Sequence, residues 1–150
     1  MGIFVGFAWI MIVLYTLYCG LGLWMAQHVE AIERGEEPMR DEDGMSILDH
    51  LPKAHIEIMQ HYYSGARGIV WRIAFLCLVA SLIAVMANAP YSIHLFALAL
   101  GLDCLLFLTY EKRNEFMAQT SLAERLFDFL QYSALFAALL ILLWRKFASQ

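Results

Sequence analysis

YSIHLFALALGLDCLLFLTY, residues 91–110, is a run of apolar side chains interrupted near its middle by one carboxylate, Asp103. About 20 consecutive apolar residues is the length that crosses the hydrocarbon core of a bilayer as a helix. Three further runs of this kind flank it: 3–26, 69–88 and 126–144. The whole chain is 61% hydrophobic and 16% charged, against about 45–50% and about 25% in soluble domains. These numbers predict an all-α integral membrane protein, a single four-helix transmembrane domain over residues 1–150. A separate soluble module finds no room.

The first run has no Lys or Arg ahead of it and, at residues 3–26, exceeds a signal-peptide core. Trp9 and Trp24 stand toward its two ends, where interfacial anchors sit. It reads as a retained helix. Cys19, Cys77 and Cys104 all fall within the apolar runs, where free thiols behave as small hydrophobes. No disulfide or cysteine metal site is expected.

Basic residues set the expected orientation. Arg34, Arg40, Lys53, Arg67 and Arg72 lie in or next to 27–68, and Lys112, Arg113 and Arg125 lie in 111–125. The opposite side holds only Arg145 and Lys146. The positive-inside rule places both loops in the cytoplasm and both termini outside, with "NAP" (88–90) as a tight outer hairpin. A prokaryotic inner membrane is the default location. Nine of the fourteen acids fall in 27–68, and no basic surface for nucleic acid exists.

Residues 52–64, PKAHIEIMQHYYS, divide at helical spacing. Lys53, Glu57, Gln60, His61 and Ser64 share one face, while Ala54, His55, Ile56, Ile58, Met59, Tyr62 and Tyr63 fill the other. An amphipathic cytoplasmic interfacial helix between the first and second spans is expected, with His55, Met59, Tyr62 and Tyr63 as its apolar contacts. Four of the five histidines (28, 50, 55 and 61) lie in this region. No two of them stand at the i,i+4 spacing that chelates on one helix, so no metal and no cofactor is expected. A bound lipid is compatible with the sequence. Ser121 and Glu124 form a capping box that starts the fourth helix near Leu122.

Asp103 is costly in hydrocarbon, about 2.5–3.5 kcal/mol at mid-bilayer on translocon scales. It shares a stripe with Ser92, Phe96, Ala99, Phe107 and Tyr110, while Ala97, Gly101 and Cys104 form a second face of small residues. Two faces that avoid lipid imply a helix contacted on two sides. Arg72 lies about 5 Å in from the cytoplasmic end of its span and Asp103 about 10 Å, so Asp103 is expected to be held by Arg72 or by a group on a neighbouring chain. Asp128, Gln131 and Tyr132 share a face of the fourth helix and complete a candidate polar pocket, the site for a contact with a partner or ligand.

Three functions fit. The first is a small integral subunit of a larger membrane complex with a structural, assembly or accessory role; its partners are the bilayer and other subunits or copies of itself. The second is a membrane enzyme acting on a lipophilic substrate at the cytoplasmic face. Length, four spans, outward termini and a long first cytoplasmic loop resemble, in topology, the MAPEG family of glutathione-dependent membrane proteins. That family's Arg-x-x-x-Asn-x-x-Glu pattern is not met, since Arg67 is followed by Trp71 and Ala74, and no site residue is carried over. The third is a homo-oligomeric channel or carrier using Asp103. No catalytic signature marks the chain, and the subunit reading leads.

Overall fold

A computed structural model describes residues 3–36, 44–46, 49 and 51–148. Six helices run through them: α1 (Ile3–Glu33), α2 (Lys53–Tyr63), α3 (Gly65–Met86), α4 (Ser92–Leu108), α5 (Arg113–Gln119) and α6 (Leu122–Ala148). Most of the acidic stretch 33–44, together with His50, lies outside the described residues.

Helices α1, α3 and α6 are each long and apolar enough to cross a membrane, and the bent pair α4–α5 makes a fourth candidate. Only 17% of the apolar window of α1, and 17% of that of α6, is buried within the chain. The remainder is outward-facing hydrocarbon, as on a lipid-exposed bundle and unlike a water-soluble one. The chain is thus an all-helical protein of integral membrane type.

α1 runs beyond the expected Ala26 because Ala26 and Val29 continue its buried seam. It ends in a Schellman motif: Gly35 takes φ +88°, its N–H donates to the Ile32 carbonyl, and the Glu36 N–H reaches back to Ala31. The same device closes α3. Asn88 adopts φ 52°, its N–H donates to Val85 and the Ala89 N–H to Ala84. Pro90 then bars continuation, and α4 folds back along α3, as the "NAP" reading predicted.

α1 packs against α3 and α6, and α4 closes the ring by contacting α3 and α6. The core is built from Ala8, Ile12, Leu78, Phe96, Ala99, Leu100, Leu135 and Ala138, with alanines at the places where small side chains permit close helix approach. Ser81 Oγ, fully buried, donates to the Ser92 carbonyl and ties α3 to the start of α4 at 3.0 Å.

The sequence expects a third span over 91–110 and a loop over 111–125 that leads into the fourth helix near Leu122. Instead, α4 has 17 residues, about 26 Å of helix against about 30 Å of hydrocarbon, and the chain then bends by 90° into α5. Phe116 explains the bend. Its ring meets Phe107 at 6.5 Å and the edge of His55 at 5.4 Å, holding α5 against α2. Beyond it, the Ser121 N–H donates to Glu124 Oε2 at 2.6 Å and the Glu124 N–H to Ser121 Oγ at 3.2 Å. This reciprocal pair is the capping box read from the sequence.

α2 also departs from expectation in what it touches. Ala54, Ile58 and Met59 are buried within the chain, Tyr62 stacks on Trp71 at 5.3 Å, and Tyr63 packs beside Trp71, Ala26 and Leu106. The apolar face rests largely on the protein itself. His61, expected on the polar face, is buried at 9% exposure. It departs from the helical-wheel reading because α4 ends against that side of α2 and supplies a carbonyl for its ring to bond.

Candidate functional site

The stripe on α4 that carries Asp103 is the one facing inward. Ser92, Phe96, Ala99 and Asp103 are all buried, and so is Tyr110 beyond the helix end. Asp103 retains 9% exposure. Its Oδ2 accepts two hydrogen bonds, from Tyr15 Oη of α1 and from Tyr132 Oη of α6, each at 2.6 Å. That distance is typical of a hydroxyl donating to a carboxylate. Three helices are therefore joined at one oxygen atom.

Tyr132 was expected near Asp103; Tyr15 was not. The available signal was the seam Ala8, Ile12, Tyr15 at i,i+4 and i,i+3, in which Tyr15 is the one residue with a polar atom. Arg72 stands elsewhere. Its guanidinium lies 3.8 Å from Glu30 Oε2, half-exposed, at the far end of α1, and the expected Arg72–Asp103 pair does not form. The reason is the pitch of α3. Its inward face is Gly68, Trp71, Ala74 and Leu78, and Arg72, one residue after Trp71, is turned about 100° away from it. Asp128 and Gln131 are partly exposed, and neither side chain is hydrogen-bonded to another of the described residues.

Beside Asp103 lies a narrow cleft lined by Tyr15, Cys19, Trp71, Ala74, Phe75, Leu78 and Ala99. It has about 10 Å³ of room, close to what one water needs. Asp103 Oδ1 receives no hydrogen bond from the described residues, so a single water in this cleft has a carboxylate oxygen to donate to. Among the described residues, no group of three His, Cys, Asp or Glu is placed to hold a metal ion.

A second polar cluster lies at the other end of Trp71. His61 Nε2 meets the Leu106 carbonyl at 3.2 Å, and Thr109 Oγ1 donates to the same carbonyl at 2.9 Å. Arg67 Nη1 faces His61 Nδ1. One protonation state satisfies all of these: a neutral imidazole with its proton on Nε2, donating to Leu106 and accepting from Arg67. Burial pulls the His61 pKa below its ordinary value, the Leu106 carbonyl raises it, the Arg67 charge lowers it and Glu111 raises it. Desolvation dominates, and the ring is held neutral. The cluster caps a carbonyl that the end of α4 would otherwise leave unpaired, and it fixes α2 to α4.

On α4, the face bearing Ala97 and Gly101 is exposed, and a side-chain carbon placed on Gly101 would meet nothing within 4 Å. The two lipid-avoiding faces of α4 thus have different fates in the single chain: the Asp103 face is covered, and the small-residue face is open at Ala97 and Gly101 while Cys104 packs partly against the core. Compared with known protein families, curated proteins and solved structures, the chain gave no match in any of the three.

Proposed function

We propose that this protein is a small integral subunit of a larger membrane complex, with a structural, assembly or accessory role. The observation that carries the reading is the open Ala97–Gly101 face of α4. Small residues at i,i+4 let a second helix approach closely in lipid, where dispersion and weak polar contacts replace the hydrophobic effect as the source of association. Lipid alone has no use for such a face. A carboxylate already held by two tyrosines, beside room for one water, favours a packing role for Asp103 over a transport or catalytic one.

In this reading the complex sits in a prokaryotic inner membrane. Both termini lie outside, and residues 27–68 and 111–125 are cytoplasmic, where eight of the ten Lys and Arg residues lie in or beside them. The partner chains are other membrane subunits. The test is Gly101→Leu. Gly101 is exposed and a Cβ placed on it meets nothing within 4 Å, so the larger side chain has open space outside the chain to point into, while the close approach of a partner helix is blocked. Recovery of partner chains with the tagged protein is expected to fall at least tenfold. Unchanged recovery removes this face from the interface.

A further inference from the structure

Phe7, Ile10, Leu14, Leu17, Leu21 and Trp24 follow one another on α1 at spacings of three, four, three, four and three residues, and each is between 39% and 66% exposed. From this stripe and the two opposite charges that flank it, we infer that α1 is the interface between two copies of this chain, packed parallel about a two-fold axis along the membrane normal.

Lipid asks only for apolar surface. A strict alternation of three and four does more, because an ideal helix drifts by about 20° per heptad and the alternation holds one seam against a left-handed partner. That crossing is the common one between membrane helices, and large apolar side chains at such positions are the knobs of its packing.

The edges of the open face carry the charges. On one edge α3 covers α1: the Phe75 ring lies 3.4 Å from a carbon added to Gly20, and the Trp71 ring 3.5 Å from one added to Gly22. Arg72 projects from this edge, half-exposed, and its one ion pair among the described residues is the loose 3.8 Å approach to Glu30. On the other edge α6 covers α1. Asp128 stands there, with its charge in reach of Tyr18 on α1 and His55 on α2. It is partly exposed and forms no ion pair among the described residues.

The depths match. Tyr15 and Tyr132 meet at Asp103, so Asp128, four residues before Tyr132 and about 6 Å nearer α2, is level with Cys19. Arg72 is level with Gly22, about 4–5 Å further along, a gap that the long arginine side chain spans. A two-fold axis lays α1 on α1 and brings the Arg72 edge of each copy onto the Asp128 edge of the other. Both carboxylates, costly near hydrocarbon, gain a guanidinium at once. A foreign helix would have to supply the seam and both charges, whereas the second copy carries them already. The pairing holds whether or not other chains join the pair, so it stands apart from the subunit reading.

The test uses the whole chain, labelled at its C-terminus and reconstituted in phosphatidylcholine vesicles, with self-association read by energy transfer over a range of protein-to-lipid ratios. Saturation at two copies is expected. Asp128→Arg and Arg72→Asp are each expected to weaken pairing at least tenfold, since like charges then face each other across the interface. Both changes in one chain restore most of it, because the reversed charges meet again across the axis. Where a reversal fails to insert, Leu14→Ala/Leu21→Ala carries the test: these side chains lie outside the chain's own core, and their loss is expected to weaken pairing at least tenfold, while Gly101→Leu on α4 leaves it unchanged. A monomer at every ratio, single reversals or a leucine variant that pair as tightly as the unaltered protein, or a double reversal that pairs no better than the single ones, overturns the inference.

Discussion

Tyr15 and Asp103 stand 88 positions apart in the chain and meet at 2.6 Å. Tyr132 donates to the same carboxylate oxygen from a third helix, so Asp103, the one buried acid among the described residues, serves as a junction of the bundle. Tyr15→Phe and Tyr132→Phe each remove one donor to this group, and each is expected to cost about 1–2 kcal/mol. Because both donate to one oxygen, the double variant leaves the carboxylate without a protein partner and costs more than the sum of the two. Unfolding of the four proteins followed by circular dichroism measures the coupling; two silent single variants would contradict the junction.

Arg72→Gln is expected to be nearly neutral, within about 1 kcal/mol. Its contact with Glu30 is 3.8 Å long and half-exposed, and pairs of that kind contribute little. An Arg72 bonded to Asp103 would instead leave a buried charge uncompensated when removed, and would cost several kcal/mol. Thermal unfolding of this one variant separates the two arrangements.

Docking of α2 depends on pH through His61. Burial lowers the pKa of its ring in the folded protein below the ordinary value, so the unfolded chain binds the proton more readily. Its contribution to stability is complete above the unfolded value of about 6.5 and is lost as pH falls through the folded one. Protonation also removes the lone pair that accepts from Arg67. Amide hydrogen exchange over residues 53–63, corrected for the intrinsic pH effect, is expected to show weaker protection at pH 5.5 than at pH 7.5. His61→Gln is expected to flatten that difference, and equal protection at both pH values in the unaltered protein would count against the neutral-imidazole arrangement.

The corner between α2 and α3 needs Gly68. A side-chain carbon there would lie 2.1 Å from the Tyr63 carbonyl oxygen, a backbone atom that the two helix ends hold in place. Gly68→Ala is therefore expected to destabilise by about 1–3 kcal/mol, the usual range for overpacking, through separation of α2 from α3. Gly22→Ala is the contrast: its added carbon meets only the Trp71 ring, at 3.5 Å, and little change is expected. Limited proteolysis within α2 and thermal unfolding report the two outcomes.

The sequence was most legible where a signal is local. The apolar runs, the capping box at Ser121 and Glu124, the hairpin at 88–90 and the inward stripe of Asp103 all follow from the spacing of neighbouring residues, and the structure reproduces them. What the sequence did not disclose depends on which helices meet. Arg72 and Asp103 had compatible depths, yet the pitch of α3 turns Arg72 outward to Glu30. Tyr15 looked like one aromatic among many until α1 was set against α4. His61 belonged to a polar face by periodicity, and only the end of α4 supplies the carbonyl that makes its burial tolerable. α5 has just seven residues, too few for periodicity to register, and its position comes from Phe116 packing on residues distant in sequence.

Whether this chain works as one subunit among others is decided by native mass spectrometry of the protein extracted gently from its own membranes. Assemblies in which it is joined by different chains at a fixed stoichiometry, lost on Gly101→Leu, are expected. A solitary chain, or copies of itself alone, would contradict the subunit reading.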